Sequence, residues 1–215
     1  MKRQIKKAIT TAAIAAATAL PAKAQSSLEL MQTGEEATTR IRPNLFYQLP
    51  GGVKGYTFGE FYQGSDAYIT KTDLTRELGE SLDAKLQATT GAGFTGDVGL
   101  GLEYETPTGG KTTAKVKALP VYLGFDGKPV DDKAVLGFYV DHKVYVPLLK
   151  DMHVVAFGEV NVGAAGGPQW SYGELHAQKT LDDFVIGLGL DLRGKGDVTP
   201  DPKVSVKLGY VLGQH

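Results

Sequence analysis

The sequence predicts an all-β fold: an antiparallel up-and-down transmembrane β-barrel of twelve strands, with ten as the alternative count. Three observations predict it. First, alternation recurs along the chain and is cleanest at its end, where Val204, Val206, Leu208, Tyr210 and Leu212 occupy every second position and Lys203, Ser205, Lys207 and Gly209 lie between them. Side chains alternate faces along a strand, so one face is apolar and the other polar or small. Second, the chain opens with an export signal. Third, many of its 28 glycines sit within alternating strands, as in Val98-Gly99-Leu100-Gly101-Leu102 and Ile186-Gly187-Leu188-Gly189-Leu190. Each would cost about 1 kcal/mol relative to alanine in a helix, whereas on the inner face of a curved sheet it relieves crowding.

Taken in order, the strands are expected at 27–32, 38–49, 54–63, 67–75, 81–90, 93–106, 112–124, 133–149, 152–164, 169–179, 183–193 and 203–213. Turn chemistry separates them: Pro50-Gly51-Gly52, Gly64-Ser65-Asp66, Pro107-Thr108-Gly109-Gly110, Leu149-Lys150-Asp151 and Thr180-Leu181-Asp182. Ten strands would follow if two short neighbours are one. Residues 75–84 admit a helical turn. With twelve strands the longer connections, 125–132 and 194–202, share one side, as expected for the outside of an outer-membrane barrel.

The faces sort in most strands. The apolar set includes Leu82, Leu86, Val98, Leu100, Leu102, Leu136, Phe138, Val140, Val154, Val160, Phe184, Ile186, Leu188 and Leu190. The inward, candidate lumen-lining set is Arg40, Arg42, Asp83, Lys85, Asp97, Glu103, Asp141, Lys143, Glu159, Asp191 and Lys207. Opposite charges on facing strands would neutralise one another there. Tyr56, Phe58, Tyr62, Tyr104, Trp170 and Tyr210 are candidates for the interfacial aromatic girdle. In 54–75 and 112–124 neither parity is clean. A soluble secreted sandwich or lipocalin-like barrel also alternates. The Gly-rich second face favours the membrane barrel, since a wet exterior would be densely charged.

Lys2, Arg3, Lys6 and Lys7, the apolar run 8–20 and Ala22-Lys23-Ala24 read as a secretory signal cleaved before Gln25. That run has 13 residues, against roughly 20 for a spanning helix. Removing residues 1–24 takes five bases and no acids, leaving 191 residues as one domain, 25–215, with 18 bases against 24 acids, net −6. An acidic exported chain is a poor nucleic-acid binder. With no cysteine, disulfides, thiolate metal sites and cysteine nucleophiles are excluded. No cofactor is implied, and the partners expected are outer-membrane lipid and small solutes or ions.

These patterns resemble the bacterial outer-membrane β-barrel superfamily over most of residues 38–213, with no single family identified. Members usually end in an alternating strand with a final aromatic residue. Val204, Val206, Leu208 and Tyr210 match, while the ending Leu212-Gly213-Gln214-His215 departs from it. Size and strand count are similar to small monomeric twelve-stranded channels for acidic sugars. Their Arg-lined lumen is matched loosely by Arg40, Arg42, Lys85, Lys143 and Lys207, which the inward acids would dilute.

Other constellations read more plainly. Gly91-Ala92-Gly93-Phe94-Thr95-Gly96 fits G-x-G-x-x-G but lacks a following helix, so a hairpin turn is expected. Gly109-Gly110-Lys111-Thr112 lacks the earlier glycine of a phosphate loop, since Glu105 stands there. Ser171, Glu174 and His176 suggest a hydrolase, yet Ser171 has the opposite parity unless a bulge intervenes. The histidines lack metal-ligand spacing. The expected function is a small channel for ions or small polar solutes with a mixed-charge lumen, and not an enzyme. The alternatives are a closed structural or interaction barrel working through its outer loops, an outer-membrane lipid hydrolase, and a soluble secreted ligand-binding barrel.

Overall fold

The computed structural model describes residues 24–34, 38–64, 66–92, 94–106, 110–146, 149–194 and 200–212. Twelve strands run through them: β1 (Ala24–Thr33), β2 (Thr38–Leu49), β3 (Val53–Tyr62), β4 (Tyr68–Glu77), β5 (Leu82–Gly91), β6 (Phe94–Thr106), β7 (Thr112–Gly124), β8 (Val135–Val146), β9 (Leu149–Asn161), β10 (Gln169–Leu181), β11 (Phe184–Arg193) and β12 (Asp201–Leu212). Each pairs antiparallel with its sequence neighbours, and β1 pairs with β12, from Ser26↔Leu212 to Thr33↔Ser205. The sheet is therefore a closed barrel without an edge. The expected export signal falls on residues 1–24, of which 1–23 lie outside the described residues.

The expected strands and the observed ones agree closely, with three differences, one being that the expected turn at 180–182 is narrower, since β10 runs to Leu181, which pairs with Phe184. Residues 149–151 are the start of β9, not a turn: Val146 pairs with Leu149, so the connection is residues 147–148. Pro147, which has no N–H to donate, follows the last residue of β8. Residues 75–84 hold no helical turn, since β4 runs to Glu77 and β5 begins at Leu82. A short 3-10 turn sits instead at Pro50–Gly52. The glycine motif at 91–96 is the β5–β6 hairpin, with strand on both sides.

Connections 125–134, 162–168 and 194–200 leave one end of the barrel, and the shorter 50–52, 147–148 and 182–183 leave the other. The outer face is apolar on most strands, while on β3 and β4 it carries Thr57 and Thr72, which bond to each other. Leu188 is 60% exposed and its partner Val206 51%, and Leu30, Leu102, Val116, Leu136 and Leu175 are exposed on other strands. An apolar exterior of this extent is insoluble in water and matched to lipid. It overturns the soluble-barrel alternative, whose apolar side must point inward.

Aromatic residues mark both ends of that exterior. Phe184 and Tyr210 pack at 5.0 Å between ring centroids near the short-turn end, where Tyr104 is also exposed. Phe61 stacks on Tyr68, and Phe138 packs against Trp170, near the long-connection end. A bulge at Ser171 puts Trp170 opposite Val160 while Tyr172 faces Glu159, which turns the indole to the outside. The ring lies over Gly158, where a Cβ would meet it at 2.5 Å, and its Nε1 donates to the Leu192 carbonyl at 2.7 Å. Tyr56, Phe58 and Tyr62, expected in the girdle, are on the inner face instead. They alternate with Thr57 and Gly59 and share the side of Glu60.

Two outcomes test this architecture. Unheated protein in detergent should migrate differently from boiled protein on a gel, because a closed barrel resists unfolding. Leu188→Arg should lower the urea-unfolding free energy in lipid vesicles by about 2–4 kcal/mol, the cost of a cation near the middle of the lipid-facing band.

Candidate functional site

The interior of the barrel is charged, and its charges are joined in sets. Arginines at i and i+2 on β2 both point inward. Arg40 donates to Thr33 on β1 and Glu60 on β3, and its Nη2 lies 3.0 Å from Asp191 on β11. Arg42 contacts Glu60, Tyr172 and Glu174. Glu174 stands on β10, four strands from β2 around the ring. The Tyr172 hydroxyl donates to Glu60 Oε1 at 3.1 Å, joining strands five apart. These contacts are chords across the lumen, not neighbours on one wall.

The chords make a sealed body. Arg40 and Glu174 are each 1% exposed, and Met31, His176, Asp191 and Ser205 are equally buried. Arg193 extends the set toward the long-connection mouth. Its guanidinium lies 5.3 Å from the Tyr62 ring centroid and 5.4 Å from that of Tyr172, and its Nε donates to Asp191 at 3.0 Å. On the other side Lys207 lies 3.6 Å from Glu29 and 3.9 Å from Glu174. Buried ions are tolerable only when partners replace the lost water, and here each carboxylate meets a guanidinium or ammonium.

A second set joins the opposite walls. Glu159 on β9 receives Lys71 from β4, at 2.6 Å to Oε2, and Lys117 from β7. A third lies toward the short-turn end: Lys85 binds Asp73 at 3.0 Å and also Glu103. Asp97 holds Lys133, whose ammonium lies 4.5 Å above the Tyr122 ring. Asp141 meets His153 at 2.7 Å. Leu119, Tyr122 and Val135 form a small apolar cluster under connection 125–134, whose Val130 packs on it.

Above the Lys71–Glu159 contact a cleft of about 280 Å³ includes Gln87, Thr89, Lys133 and Arg193 in its lining. On the wall nearby Gly99 makes room for the buried Tyr122 ring, which a Cβ there would meet at 2.6 Å.

Of the residues expected to face inward, Arg40, Arg42, Asp191 and Lys207 join the sealed body. Lys85, Glu103, Glu159, Asp97 and Asp141 join the smaller sets. Asp83, opposite Glu77 and Glu103, and Lys143, opposite His153, stand at the short-turn rim. Sequence reasoning missed Glu29, Glu60, Lys71, Asp73, Lys117, Lys133, Tyr172 and Arg193. The i, i+2 pairs Lys71/Asp73 and Lys115/Lys117, spaced like Arg40/Arg42, were the available signal.

The hydrolase constellation does not assemble. Ser171 is the bulged residue, exposed at the cleft rim. His176 instead meets Ser205 at 3.3 Å, with Glu174 on the same ring nitrogen at 3.6 Å. A nucleophile–base–acid relay needs the acid on the other nitrogen, and Ser205 is fully buried. Among the described residues no group of three or more potential ligands could hold a metal ion.

No protein-family model matches the sequence, and no curated protein matches it. Solved structures do match in fold. A structure described as the KdgM porin aligns over 89% of this chain and 99% of its own, with 9% identity and a TM-score of 0.57. The same porin in complex with disordered oligogalacturonate aligns over 89% and 99%, with 11% identity and a TM-score of 0.56. The NanC porin aligns over 86% and 98%, with 8% identity and a TM-score of 0.57. The chain thus has the fold of these small outer-membrane porins.

Removing one partner from the sealed body should be expensive. Glu174→Ala leaves Arg42 with Glu60 and Glu29 and takes a counter-charge from Arg40 and Lys207 as well, and should cost about 3–5 kcal/mol of unfolding free energy in vesicles. The Arg42→Ala/Glu174→Ala double variant should cost less than the two single changes added together.

Proposed function

We propose that the protein is a passive outer-membrane channel for ions or small polar solutes. The observation that carries this reading is the charged cleft, which runs from the long-connection mouth to mid-depth inside a lipid-matched barrel. The porin fold supports it. Selection would come from size and from the fixed charges of the inner wall, which include Lys85, Glu103, Asp141 and Glu159. Long connections would face the outside, and residues 1–24 would be removed on export, so that the membrane-bound chain begins at Gln25. Mass determination of the membrane-extracted protein tests that start.

The KdgM complex contains oligogalacturonate, a polyanion. In this chain Lys71, Lys133 and Arg193 beside the cleft each contact a carboxylate. That compensation favours small, weakly charged solutes over polyanions. A closed structural barrel is the second reading, favoured by the sealed body that joins β2 and β3 to β10 and β11.

Recording from the purified protein in planar bilayers separates the two. A channel gives discrete conductance steps that scale with salt and are little affected by added oligogalacturonate. A bilayer that stays silent at every voltage, with heat-shifting protein inserted, would establish the closed barrel.

A further inference from the structure

We propose that the lumen is functionally one-sided, with a permeation path beside β4–β9 and Glu159, clamped by Lys71 and Lys117, as its gate and charge filter. The inference rests on the channel reading and deepens it. The two halves of the interior differ in access. In the half walled by β10, β11, β12, β1 and β2, the side chains of Arg40, Glu174 and Asp191 are 1–2% exposed. In the other half, Lys71 is 12% exposed and Glu159 15%, although both are mid-strand and ion-paired. Toward the short-turn end the wall set of Lys85, Asp73 and Glu103 is 6–13% exposed, and the rim residues Lys115 and Asp141 reach 32% and 30%. On the opposite side of Glu159 the cleft opens to the long-connection mouth. A route from end to end along this half would have to pass the chord where Lys71 on β4 reaches Glu159 on β9 across five strand positions.

The chemistry of that point differs from the sealed body. Ammonium groups on long flexible stems bind as point charges and swing between partners, whereas planar guanidinium forks fix geometry. Lys71 and Lys117 both hold the Glu159 carboxylate, so the two ammonium groups and one carboxylate set the charge at the chord itself. Breaking Lys71–Glu159 clears the chord without disturbing the arginine cluster.

Because the chain lacks cysteine, single cysteines can map the path. Blocking of the conductance by a methanethiosulfonate reagent is expected at Thr89→Cys, beside the cleft, with no effect at Ser205→Cys. In a salt gradient, Glu159→Gln should move the reversal potential toward the anion equilibrium value, and Lys71→Gln toward the cation value. The double Lys71→Gln/Glu159→Gln variant should pass more current than the native protein. Variants are compared only where the heat-shifted gel band persists, and Lys71→Gln stands in if Glu159→Gln does not fold. A conducting native protein whose reversal potential is unmoved by these changes would overturn the one-sided path. A non-conducting native protein would instead overturn the channel reading itself.

Discussion

Lipid offers a backbone N–H or C=O no hydrogen-bond partner, so a sheet inside it must have no edge. The pairing of β1 with β12, held over Ser26 to Thr33, meets that demand, and the other features follow from it. Closure forces every strand to present one face to lipid and one to the interior. It also sets which strands confront each other across the lumen. Arg42 reaches Glu174 because β2 and β10 are brought opposite one another by the ring, although 132 residues separate them in sequence.

The alternation of faces inverts the usual arrangement of a folded chain. Apolar residues such as Leu188 and Val206 are outside, and the ions are within. The interior of a twelve-strand ring is intermediate between small filled barrels and wide water-filled ones. This chain fills half of it with an arginine–carboxylate body and leaves the other half looser. The buried body is better understood as a device for specifying one packing than as a source of large stability, since desolvation offsets much of the attraction.

Much of the fold was legible in the residues because alternation survives in β6, β11 and β12, where Gly, Ser or a charge falls between apolar residues over several steps. The strands that resisted did so for physical reasons. On β3 the inner face carries Tyr56, Phe58 and Tyr62, which look apolar in a list but hold their hydroxyls and ring faces against Asn44, Arg42, Glu60 and Arg193. The outer face there carries Thr57 and Thr72, which bond to each other. On β7 a register shift between the Leu102↔Ala118 and Leu100↔Val121 pairs reverses the parity halfway along. The bulge at Ser171 does the same for Trp170. The chords were illegible for a different reason. Strand periodicity reports which face a residue takes, but the partner it meets across the ring depends on tilt and stagger, which no local pattern encodes.

The difference between the two halves has a consequence for how such a barrel could conduct without losing its shape. If the chords beside β10–β12 also had to open, passage of each solute would strip partners from Arg40, Arg42 and Asp191 at once, an uncompensated cost in a water-poor space. Confining movement to lysines beside β4–β9 avoids this. Lys71 can leave Glu159 while Lys117 still holds it, so the carboxylate is never without a counter-charge. Redundant pairing at a single flexible point, set against rigid pairing elsewhere, lets one wall yield while the rest of the ring keeps its register.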